Sequence, residues 1–100
     1  MIIVTGAVRF GSGEIERLRS ALSRNVEASR AEDGCEAYSY AVDLTEPDLL
    51  RIIELWRDAA ALDAHTQKLA ELMAPLEGAK IEAMKITAFE AAFLKNIIGE

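Results

Sequence analysis

Cysteine occurs once in these 100 residues, as Cys35, and histidine once, as His65. A single thiol excludes an intramolecular disulfide and any cysteine-rich zinc site, and it suits a reducing cytoplasm. Basic residues are outnumbered, 11 Lys and Arg against 17 Asp and Glu, for a formal charge of −6. That balance speaks against nucleic acid, whose phosphates reward clustered cations. Arg9, Arg17, Arg19, Arg24 and Arg30 are interleaved with Glu14, Glu16, Glu27 and Glu32, as on a solvated mixed face. No apolar run approaches membrane-spanning length, and Ile2 to Val4 is too short for a signal peptide. Phosphate loops and the GxGxxG, HExxH, CxxC and GxSxG patterns are absent as well. Metal, nucleotide and covalent mechanisms therefore have no motif here, and no cofactor is expected.

What is plentiful is apolar surface, 51% of the residues. A chain this short is expected to form one domain over residues 1–100, burying roughly 60–70% of its unfolded surface in a modest core. So many apolar residues must cover something more. Self-association as a symmetric dimer is the simplest way to hide them.

Residues 2–10, IIVTGAVRF, are β-branched and apolar without a helical period, which predicts a strand. Gly11-Ser12-Gly13 breaks it, and Ser12 is placed to cap a helix over about 13–31. Ile15, Leu18, Leu22, Val26 and Ser29 form the stripe of that helix, and Asp33-Gly34 stops it. A second strand follows over about 35–43, with Glu36, Tyr38, Tyr40 and Val42 on one face and Cys35, Ala37, Ser39 and Ala41 on the other. After a turn at Thr45 to Asp48, a third strand covers about 50–56. Asp58 then caps a second helix running to about Met73, where Pro75 either ends it or opens one further turn before Gly78. In the tail, Ile86, Phe89, Phe93 and Ile97 fit a helical stripe, while Met84, Ile86 and Ala88 fit strand alternation. A fourth strand near 81–92 completes β-α-β-β-α-β, a ferredoxin-like α+β pattern with an antiparallel sheet.

The run from Glu54 to His65, ELWRDAAALDAH, carries the candidate chemistry. A strand ends in Trp56, and a helix follows at once with His65 on its apolar stripe beside Leu62, Leu69 and Leu72. An imidazole there is either an acid–base group of a pocket or a packed core residue whose nitrogen finds a carbonyl. Trp56 is either a stacking wall or core. Glu54 shares the apolar face of Leu50, Ile52 and Trp56. A carboxylate there must pair with an Arg, cap a backbone group, reach solvent or hold a raised pKa. Tyr38 and Tyr40 either hydrogen-bond a ligand or line the helix–sheet interface, and Cys35 reads as a small filler.

The start IIVTGAVRFGSGEIERL, the run Glu32-Asp33-Gly34-Cys35 with Tyr38, and Glu54-x-Trp56-x-Asp58-x-x-Ala61-Leu62-x-x-His65 together resemble the antibiotic biosynthesis monooxygenase family. The likeness extends over nearly the whole chain. It implies a dimeric α+β barrel, in which two ferredoxin-like sheets pack face to face and each pocket lies between a sheet and its helices. It also implies a cofactor-independent monooxygenase that deprotonates a small aromatic, phenolic or quinol-like substrate, whose anion then reacts with dioxygen. A general base and oxyanion donors suffice for that. His65 matches the family's helix histidine and is the expected catalytic residue. Trp56, Tyr38, Tyr40, Glu54, Ile52 and Leu62 are the expected substrate contacts. Ile52 and Leu62 stand where polyketide oxygenases of the family use polar groups, and Leu69 and Ala70 where many members carry a second histidine. Residues 2–10 lack the asparagine of the heme-degrading branch. The alternative is a non-catalytic dimer of the same fold that binds an apolar small molecule or serves a stress-related role. Expected partners are a second copy and a small apolar or aromatic ligand, with no nucleic acid and no membrane.

Overall fold

The computed structural model describes residues 1–99. Its first strand, β1 (Ile2–Phe10), buries Ile2, Val4, Val8 and Phe10 on one face, as strict alternation requires. The expected first helix begins at Glu14 and is interrupted once, giving α1 (Glu14–Arg17) and α2 (Arg19–Arg30). Hydrogen bonds bridge the interruption, Leu18 N–H to Glu14 and Leu22 N–H to Leu18, so Ile15, Leu18, Leu22 and Ser29 still share the buried side. Ser12 does not cap this helix. Gly13 occupies the cap position at φ 79 with no side-chain cap bond, and its N–H donates instead to Asp48 Oδ1 at 3.3 Å. A left-handed turn there favours glycine, and the Glu14 N–H of the first turn donates to the Gly11 carbonyl instead of to a serine hydroxyl.

The strands β2 (Cys35–Val42) and β3 (Leu49–Trp56) form a hairpin. Its register shifts between Cys35, opposite Trp56, and Ala37, opposite Leu55. Glu36 is the extra, bulged residue and is exposed. The bulge reverses alternation at its start, so Cys35 packs with Trp56 and Tyr38 rather than facing away from the tyrosines as simple alternation predicts. Helix α3 (Ala59–Gln67) is capped by Asp58, whose Oδ1 accepts from Ala61 N–H at 2.9 Å. The expected single helix to Met73 is broken at Lys68, and α4 (Leu69–Met73) leads into a 3₁₀ turn, Ala74–Leu76, with Pro75 in its first turn. The tail segment is strand, β4 (Ile81–Glu90), two residues shorter than expected. Its alternation wins over the helical stripe because β1 has a second edge to pair, and β4 matches it from Ile2–Glu90 to Phe10–Ile81.

The four strands form one antiparallel sheet in the order β2-β3-β1-β4, the ferredoxin-like arrangement. Helices cover one face. The core on that face falls into two clusters, one of Val8, Phe10, Leu18, Leu22, Leu50 and Ile52 with their neighbours, and one of Ile2, Val4, Tyr38, Trp56 and Ala61. On the opposite face, Ile53 and Phe89 are about half exposed. Among the described residues no helix is long and apolar enough to cross a membrane.

Candidate active site

A cavity of about 220 Å³ draws its walls from both core clusters, between the sheet and helices α3 and α4. Its polar residues are Tyr38, Tyr40, Glu54, His65 and Thr66, and the remaining walls are apolar, Ile52 and Leu62 among them. Six of the seven sequence-predicted site residues therefore meet on one hollow. Trp56 does not line it. Its side chain has no exposed surface and lies behind His65, with ring centroids 4.7 Å apart and planes tilted by 35°. A ring with no accessible face offers no stacking wall to a ligand, so the indole backs the imidazole instead.

Three contacts fix the histidine. Glu32 Oε2 lies 2.7 Å from Nδ1, Trp56 supports the ring from behind, and Tyr38 meets it edge-on at 5.5 Å between centroids. His65 is 3% exposed, and its Nε2 makes no hydrogen bond among the described residues. Of the partners open to Glu54, neither an arginine nor a backbone group is used. The Trp56 indole N–H donates to Oε1 at 2.9 Å. Burial raises the Glu54 pKa above the ordinary glutamate value, and nearby Glu32 adds to the rise. The Trp56 donor and the imidazole offset part of it.

The tyrosine hydroxyls lie 3.0 Å apart, one donating to the other. Burial pushes both phenols upward; for Tyr38 the Tyr40 hydroxyl pushes further in the same direction. Behind them, Asn25 Nδ2 and Ser29 Oγ are buried without a well-formed hydrogen bond, yet each sits near enough to a phenol to favour its ionised form slightly. The Cys35 thiol is also pushed up, chiefly by burial, which makes it a poor nucleophile. Among the described residues no three His, Cys, Asp or Glu side chains gather as a metal set.

Sequence reasoning missed Glu32. It lies in the turn after α2, 33 positions from its partner, so no local spacing could pair them. Its place is set by Gly34, at φ 83, whose carbonyl accepts from Arg57 N–H at 2.8 Å and whose α-carbon backs onto Ala61. Ala61 and His65 are one turn apart on α3, so the glycine lets the helix approach the loop that carries Glu32.

A sequence profile described as antibiotic biosynthesis monooxygenase matches residues 1–71. The chain belongs to that family. An uncharacterized protein of Synechocystis is 36% identical over 66 residues, which are 66% of this chain and 45% of that protein; the match thus spans less than half of that relative. A crystal structure from Deinococcus radiodurans, provisionally described as an antibiotic biosynthesis monooxygenase, superposes with a TM-score of 0.88 at 31% identity, covering 99% of this chain and 100% of that one. A protein from Pseudomonas aeruginosa superposes with a TM-score of 0.77 at 30% identity, over 92% and 94% of the two chains.

Proposed function

We propose that the protein is a cofactor-independent monooxygenase acting on a single-ring phenol or quinol. The observation that carries this reading is the grouping of His65, Glu54, Tyr38 and Tyr40 on one otherwise apolar hollow. An apolar cavity of roughly 150 Å³ admits benzene, so about 220 Å³ has room for a substituted ring. His65 Nε2 takes the substrate hydroxyl proton, and the electron-rich anion reduces dioxygen. A carbon–oxygen bond forms, giving a hydroperoxide at a ring C–H position. Loss of the C–H proton with cleavage of the O–O bond leaves a carbonyl and releases water, so one oxygen atom enters the product. One tyrosine hydroxyl donates to the other, so the accepting one keeps its own hydrogen for the developing oxyanion. The apolar walls keep water from the anion.

The same reading includes a homodimer in a reducing cytoplasm. A second copy covers the helix-free face of the sheet, where Ile53 and Phe89 are half exposed, and the apolar tail residues Phe93, Leu94, Ile97 and Ile98 find cover there.

Oxygen uptake with a panel of hydroquinones and phenols tests the chemistry. Wild-type protein consumes dioxygen with at least one of them, and His65→Ala, folded as judged by circular dichroism, loses at least tenfold. No uptake across the panel, or a fully active variant, refutes it. The predominance of apolar walls favours one second reading, a non-catalytic binder. A compound retained through purification and unchanged in air, seen by mass spectrometry, decides for that alternative.

A further inference from the structure

Two carboxylates stand near one imidazole, the buried Glu54 and the partly buried Glu32, and they are not equivalent. Glu54 lines the inner cavity and is already engaged by the Trp56 indole at 2.9 Å. Glu32 does not line that cavity. It lies on the far side of the ring, 2.7 Å from Nδ1, with its side chain 12% exposed. There it borders a separate outer cleft of about 220 Å³, which it shares with Asp33, Arg57, Lys68 and His65 itself. His65 is thus the partition between an inner apolar hollow and an outer charged one. Asp33 and Arg57 pair with each other at 3.2 Å, which leaves Glu32 as the carboxylate committed to the ring.

We propose that Glu32 is the positioning residue of this site, fixing His65 in the tautomer that makes it a base toward the inner cavity. The inference rests on the acid–base reading of His65. An ionised carboxylate only accepts hydrogen bonds, so the nitrogen facing it must carry the proton. Nδ1–H donates to Glu32, and Nε2, which has no partner among the described residues, is left with its lone pair free. When Nε2 takes a proton from the substrate hydroxyl, the imidazolium that forms is paired in place with Glu32, and no side chain has to move. The proton returns from Nε2 to the oxygen leaving as water, so Glu32 remains ionised throughout. The orienting carboxylate and the cavity carboxylate stay distinct because Trp56 holds Glu54 through its own N–H. At metal sites, carboxylates that orient a histidine contribute about 10–100-fold, and an effect of at least the lower figure is expected here.

The outer cleft gives the proposal a test that a merely structural glutamate fails. Glu32→Ala leaves a carboxylate-sized gap reachable from that cleft, so formate can enter and stand in for the lost group. In the resting protein, nitrogen-15 spectra of the His65 ring are expected to show the Nδ1–H tautomer. They become a mixture in Glu32→Ala and return to Nδ1–H with millimolar formate. With a turned-over substrate, kcat of Glu32→Ala falls at least tenfold with little change in KM, and formate restores a measurable part of it. Glu32→Gln, which keeps the shape, guards against a variant that fails to fold; its amide donates as well as accepts, so the Nδ1–H tautomer is expected to become a mixture and kcat to fall. A wild-type ring in the Nε2–H form, or a tautomer indifferent to Glu32→Ala, overturns the proposal. So does a Glu32→Ala enzyme within twofold of wild type while His65→Ala is dead, and that outcome leaves the base assignment standing. Failure of the oxygenase reading shows separately, as absent uptake by wild-type protein. The tautomer measurement, made without substrate, decides this proposal even then.

Discussion

Replacing Gly34 by alanine is expected to unseat the whole site without touching any residue of the cavity. Two effects add. The backbone there sits at φ 83, a left-handed conformation that an L side chain adopts at a cost of roughly 1–2 kcal/mol. A Cβ at this position would also stand 2.5 Å from the Ala61 Cβ, about 1 Å inside the contact distance of two carbons. Overpacking of that kind costs typically 1–3 kcal/mol. The sum, about 2–5 kcal/mol, is a large share of the roughly 5–15 kcal/mol that holds a domain folded. It corresponds to a fall in Tm on the order of 10–30 °C. Gly13→Ala is the internal control. Gly13 sits at φ 79 with no heavy atom within 4 Å of a built Cβ, so it reports the backbone effect alone. Urea titrations of both variants separate the terms, and Ala61→Gly in the Gly34→Ala background relieves the contact, less about 1 kcal/mol for glycine in a helix. Because Ala61 and His65 share one face of α3, the strained variant also lengthens the Glu32–His65 contact, read from the imidazole nitrogen-15 shifts. A Gly34→Ala stability within about 0.5 kcal/mol of that of Gly13→Ala, a difference at the level of additivity error, refutes the contact with Ala61.

Other expectations follow from the cavity wall. Burial raises the Glu54 pKa, so the folded protein keeps its proton to higher pH than the unfolded chain does. Stability therefore declines as pH rises from the ordinary glutamate value through the folded one, then levels off, by about 1.4 kcal/mol for each unit of the rise. Glu54→Gln still accepts from the Trp56 indole but has no charge to bury, so the variant-minus-wild-type stability increases between pH 4 and pH 8; a flat difference contradicts the assignment. Gly6, in mid-strand, would place a Cβ 2.9 Å from Ile86 Cγ1, and Ile86 lines the cavity. Gly6→Ala is expected to turn that side chain into the hollow and weaken binding of a one-ring phenol several-fold by calorimetry, whereas unchanged affinity and cavity volume in a crystal structure rule this out.

Local pattern alone fixes every main element before the tail, and their order. Alternation in IIVTGAVRF, the Ile15-Leu18-Leu22 stripe and the Asp58 cap are properties of neighbouring residues, and the structure reproduces all three. Strand and helix periods also put Tyr38 with Tyr40, Ile52 with Glu54 and Leu62 with His65 on common faces, while the meeting of those three faces on one hollow is tertiary. A single extra residue, Glu36, upsets the period and turns Cys35 to the face opposite the one alternation predicts. The tail was undecided locally, as both periods fit it; only the open edge of β1 made it a strand. Tertiary structure alone decided that Trp56 supports the imidazole rather than walling the cavity, and that Glu32 meets His65 across 33 residues. Such contacts depend on how closely a helix and a loop approach, here on a missing side chain at Gly34. Distances between elements distant in sequence leave no periodic trace in the chain that sets them.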